Sequence, residues 1–134
     1  MKTFKLILLC LLSIAFTACT DDEDPHFIES EIVGRSWTGT VGATDDCPEY
    51  LISTFYFGSD GFGDEIQYCP CCRHEYGPYR FQWFWDDPYS NNLVLDYGRG
   101  GVYYMDDLSV RGRYLHGVFV DEADDCFDFT LHMD

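Results

Sequence analysis

Among the residues of this 134-residue chain that could do chemistry, the cysteines have the widest reach. Cys47, Cys69, Cys71, Cys72 and Cys126 lie in the body of the chain, and His74 closely follows the central group. Three chemistries suit that set. Where thiols oxidise, two disulfides would stabilise a small domain, each contributing about 2–4 kcal/mol. Cys69, Cys71 or Cys72, and His74, completed by Cys47 or Cys126, instead offer the sulfur and imidazole donors of a tetrahedral zinc site. Cys69-Pro70-Cys71-Cys72 also contains the Cys-x-x-Cys spacing of dithiol redox centres. Those centres sit at a helix N-terminus that lowers the thiol pKa, and this segment has no helical pattern. Haem attachment needs a histidine directly after the second cysteine, where Arg73 stands. The disulfide reading ranks first, and five cysteines leave one thiol over.

Other reactive groups form no comparable constellation. Carboxylates pair at Asp45-Asp46, Asp86-Asp87 and Asp106-Asp107 and run through Asp121 to Asp125. Paired acids could hydrolyse glycosides or hold calcium, but no calcium-loop spacing occurs and aspartate is favoured in turns. These clusters read as solvated turns. His26, His116 and His132 lack ligand-type neighbours, and no serine sits in a glycine-flanked elbow. No catalytic residue is nominated, and no cofactor is expected beyond zinc as the alternative.

What these residues can do depends on the elements that hold them. After residue 31 no helical period survives. Short alternating stretches rich in aromatic and β-branched residues recur, broken by Gly, Asp, Asn and Pro. Eight strands are expected: Val33 to Val41, Tyr50 to Phe57, Phe62 to Tyr68, Tyr79 to Trp85, Leu93 to Tyr97, Val102 to Leu108, Arg113 to Val120 and Cys126 to Met133. Such a meander suits an all-β, antiparallel up-and-down barrel, with a β-sandwich as runner-up. In a meander, odd-numbered connections share one end, so Cys47, Cys69 to Cys72 and Cys126 are expected at one rim. If the second hairpin turns at Ser59-Asp60, its register favours Cys47 facing Cys71 or Cys72, with Cys126 pairing inside the Cys69 to Cys72 segment. Tyr79, Phe81, Trp83 and Trp85 share one face. Eight strands enclose an interior that side chains just fill or that holds one small molecule, and so many large residues favour the filled version.

Ile32-Val33-Gly34 followed by Trp37 resembles the first strand of lipocalin-like domains, whose tryptophan plugs the closed end of the barrel. Phe55-Tyr56-Phe57 leading into Asp60-Gly61-Phe62-Gly63 is similar to the second hairpin of small lipocalin-like lipoproteins. Phe81-Gln82-Trp83 and Leu93-Val94-Leu95-Asp96-Tyr97-Gly98 continue that likeness, which covers about residues 32 to 131. It implies a fold more than a function.

The N-terminus supplies the setting. Met1 to Lys5 is basic and Leu6 to Phe16 is apolar, the length of a signal-peptide core and too short to span a bilayer. Phe16-Thr17-Ala18-Cys19 resembles the lipobox of bacterial lipoproteins, which implies lipidation at Cys19. Thr20-Asp21-Asp22-Glu23-Asp24-Pro25 resembles an acidic tag that exports lipoproteins of some Gram-negative anaerobes to the cell surface. The expected division is a leader at 1–18, an acidic tether at 19–31 and a barrel domain at 32–134. The expected location is the outer membrane, lipid-anchored and cell-surface, with the periplasmic face as the alternative.

Charge and composition narrow the partners. Asp plus Glu number 24 against 8 Lys plus Arg, a formal net of −16. That excludes a phosphate backbone as partner and electrostatic attraction to anionic lipid. Acidity of this degree often accompanies disorder, but 46% hydrophobic and 18% aromatic residues supply a core. The expectation is a non-catalytic binding protein whose ligand or protein partner meets the rim distal to the anchor. A zinc or redox protein using Cys69 to His74 is the alternative.

Overall fold

The computed structural model describes residues 25–42 and 50–134. Readings on the leader, Cys19, Asp45-Asp46 and Cys47 lie outside those residues. A short helix, α1 (Pro25–Ile32), precedes eight strands: β1 (Ser36–Gly42), β2 (Leu51–Phe57), β3 (Phe62–Cys69), β4 (His74–Trp85), β5 (Leu93–Asp96), β6 (Val102–Arg111), β7 (Tyr114–Val120) and β8 (Cys126–Met133). They close in sequence order into one antiparallel barrel, with β1 paired to β8. A two-sheet sandwich is thereby excluded.

The period-2 pattern explains why these segments are strands. In β2, Leu51, Ser53, Phe55 and Phe57 point inward and are buried, while the residues between them are half-buried or exposed. In β4, Phe81 and Trp83 are buried and Phe84 is 46% exposed on the outer face. Arg80 there lies over the Phe62 ring, 4.8 Å from its centroid. Sealing the ring this way pairs every strand on both sides and leaves the wall few free edges.

Residues 25–31 are not tether. They fold into α1, where Pro25 takes the first position, for which its fixed φ and missing N–H suit it. Ile28 and Ile32, one turn apart, are fully buried and plug the end of the barrel where β1 begins. Trp37, also fully buried, donates its indole N–H to the Ile32 carbonyl at 3.2 Å. The Val33 and Arg35 donors take the Glu29 and Glu31 carbonyls at 3.1 and 3.2 Å, and Gly34 turns out of the helix at φ 75°. An eight-residue helix is too short to display a sequence period, which is why it reads as spacer.

Two further boundaries differ from expectation. β4 begins at His74, five residues early, because Gly77-Pro78 is absorbed as a bulge opposite Ile66 rather than ending the strand. Only Gln82 to Trp85 pair with β5, so Pro78 sits where β4 has an unpaired edge and its missing N–H costs no ladder bond. Asp106-Asp107 is a bulge within β6, not a turn: the register with β7 shifts there and Asp107 has φ 52°. Burial, then the neighbouring charges of Asp107 and Asp86, raise the Asp106 carboxyl above the ordinary range.

Candidate functional site

The interior has two storeys. From α1 upward it is filled: Trp37, Phe57, Trp83, Leu93, Leu115 and Leu131 pack below Phe55, Phe81, Leu95 and Met105. Above them the described residues leave a cavity of about 610 Å³ at the end where the odd-numbered connections lie. The expectation of a filled barrel therefore holds only for the lower half. The upper inward positions carry large rings, but they line the wall instead of meeting at the axis.

Glu65 forms the cavity floor. It projects inward from β3 and is 5% exposed. One carboxylate oxygen accepts the Ser53 hydroxyl at 2.7 Å and the Gln67 amide at 3.0 Å; the other accepts the Tyr97 hydroxyl at 2.6 Å. These donors come from β2, β3 and the end of β5, so three elements position one side chain. A fourth contribution is backbone: Gly77 has φ 101°, and a Cβ there would lie 2.8 Å from the Glu65 carbonyl oxygen. Glycine is what lets β4 bulge closely past Glu65.

Aromatic rings form the wall. Tyr97 meets Tyr103 edge-on at 5.5 Å, Tyr103 meets Phe119 at 5.8 Å, and Phe119 meets Phe127 at 5.4 Å. This arc runs from the end of β5 through β6 and β7 to β8, with Tyr79 on β4 facing the same space. Val41 and Leu51 complete the apolar lining, and Asp121 and Asp125 stand at the mouth. The Asp121 carboxylate accepts the backbone N–H groups of Ala123 and Asp125 at 2.9 Å, which fixes the last turn of the rim. Among the described residues, no lysine, arginine or histidine lines the cavity. Tyr97 is held protonated far above the ordinary tyrosine range, first by burial and then by the Glu65 charge and hydrogen bond. Tyr103 is raised too, by burial and then by Glu122, Asp121 and Glu65.

At the same rim, Cys69 bonds to Cys72, with Cα atoms 5.6 Å apart. The Cys71 sulfur lies 3.4 Å from that of Cys69, and all three sulfur atoms lie within 4.8 Å of one another. His74 does not join them; its ring packs edge-on against Tyr76 at 4.6 Å. Cys126 is an exposed free thiol, so its expected bridge into the 69–72 segment is absent. Topology does bring these cysteines to one rim, but a rim has a circumference. Three strand intervals separate β8 from β3, roughly 14 Å around the wall at about 4.8 Å each, whereas bridged Cα atoms lie within about 7 Å. The β2–β3 register is also one residue off the expected one, pairing Phe57 with Gly63 and Ile52 with Tyr68.

Sequence reasoning passed over Glu65, Tyr97 and Gln67. The available signal was a charged residue on the inward phase of β3, between Gly63 and Gln67. Compared with protein families, curated proteins and solved structures, the chain matches none.

Proposed function

We propose that the protein is a non-catalytic binding module whose upper cavity takes one small molecule. A lipid on Cys19 tethers it to the outer membrane, at the cell surface. The observation that carries this reading is the cavity itself: about 610 Å³ of open space, aromatic walls and one hydrogen-bonded carboxylate on the floor. Its volume falls in the range of small-molecule sites, which combine apolar walls with a few placed polar groups. The lipocalin-like resemblance of the strands and the lipobox-like Ala18-Cys19 junction support the same picture.

The test is titration with the neutral fluorophore N-phenyl-1-naphthylamine. Saturable one-to-one binding is expected, and Val41→Trp, which projects bulk into the open space, should abolish it. An absence of saturable binding, or binding indifferent to that substitution, would sink the proposal.

The three gathered sulfur atoms favour a second reading, in which the reduced loop holds zinc through Cys69, Cys71 and Cys72. Metal analysis of protein purified under reducing conditions decides it. Stoichiometric zinc supports the site, and metal-free protein removes it.

A further inference from the structure

We infer that the ligand of the upper cavity is an organic cation, a protonated amine or quaternary ammonium carried on an apolar body. The inference rests on the reading of that cavity as a binding site and adds the sign of the ligand's charge.

The sign follows from what lines the space. Glu65 lies on the floor, and Asp121 and Asp125 stand at the mouth, with no basic side chain in the lining among the described residues. All three groups that donate to Glu65 are neutral: a serine hydroxyl, a glutamine amide and a tyrosine hydroxyl. They orient the carboxylate without compensating a charge. A buried carboxylate is costly when nothing of opposite sign approaches it. The positive partner of Glu65 is left to come from outside.

The walls fit the same ligand. Tyr97, Tyr103, Phe119 and Phe127 form a continuous arc of rings in contact, and Tyr79 lines the same cavity. Ring faces attract cations through their quadrupole, most strongly where water is excluded. Tyr97 and Tyr103 are held in the protonated form, so they act as neutral rings. An anion would meet the carboxylates of Asp121 and Asp125 at the mouth and then Glu65, whose buried charge repels it in surroundings of reduced dielectric. At longer range the formal net charge of −16 draws cations toward the molecule at low salt.

Three compounds sharing one indole body separate the possibilities: tryptamine, tryptophol and indole-3-propionate. Each is titrated calorimetrically into the intact protein at low and moderate salt. Tryptamine should bind roughly tenfold or more tighter than tryptophol, with indole-3-propionate weakest. Added salt should narrow that spread. Glu65→Gln should bring the tryptamine-to-tryptophol ratio close to one, and Asp125→Asn, an exposed position where folding is not at stake, should reduce it in part. Tryptophol or indole-3-propionate binding as tightly as tryptamine would overturn the inference. So would tryptamine failing where the neutral naphthylamine probe binds, and in both cases the cavity would stand as a binding site. Failure of every compound, the naphthylamine included, would remove the cavity reading and the inference with it.

Discussion

Tyr97 donates a 2.6 Å hydrogen bond to a carboxylate in surroundings that keep its own hydroxyl from ionising. Its folded-state pKa lies above the value of about 10 expected in the unfolded chain. The stability it contributes is therefore fully present below about pH 10 and is lost as the pH rises further, because only the unfolded chain then releases the proton. Tyr97→Phe removes a donor from buried Glu65, which should cost about 1–3 kcal/mol at neutral pH. The same variant should lose less stability than the parent between neutrality and about pH 11. Urea midpoints measured across that span check both. Parallel alkaline profiles for parent and variant would show that Tyr97 is not the responsible group. Little of this was legible in the sequence. A lone glutamate in an alternating strand looks like any solvated one until the strand's inward phase and its neighbours across the wall are known. The cysteines were conspicuous in type and spacing, yet the bridge seen among the described residues is a local one, Cys69 with Cys72, and the pairing expected of Cys47 lies outside those residues.

Among the elements, α1 does most for its length. Eight residues close one end of the barrel with two isoleucines and give Trp37 a carbonyl acceptor. Ile32→Ala leaves a void among packed rings and should cost about 2–4 kcal/mol. Thermal or urea unfolding checks this, and a loss well under 1 kcal/mol would show the helix to be a loose lid. The four-residue spacing of Ile28 and Ile32 behind Pro25 was the available signal, masked by the acidic run before it. Strand positions were far easier to read. Alternation over six to eight residues is a repeated signal, so seven of the eight starts fell within three residues of those observed. The exception, β4, was hidden by Gly77-Pro78, which ends most strands but is tolerated in a bulge beside an unpaired edge.

For the molecule as a whole, closure was legible because eight short strands with tight connections have few other ways to hide their edges. How full the barrel is was not legible. Counting large side chains says nothing of whether rings meet at the axis or stand along the wall. The proposed membrane attachment is a matter for the whole chain and turns on Cys19. Cys19→Ala should move the protein from the membrane fraction to the soluble fraction or leave it unprocessed, as fractionation and the mass of the product would show. Retention of the variant with membranes would discard the lipid anchor. The seam of the barrel has a consequence of its own. β1 and β8 share three register pairs, Trp37 with Met133, Thr38 with His132 and Gly39 with Leu131, and both strand ends emerge beside the plug. A force applied between Pro25 and Asp134 would load those pairs one after another, as in a zip, not all together as in shear. Under tension the barrel should yield at its plugged end first, at low force, while the aromatic mouth still holds its shape.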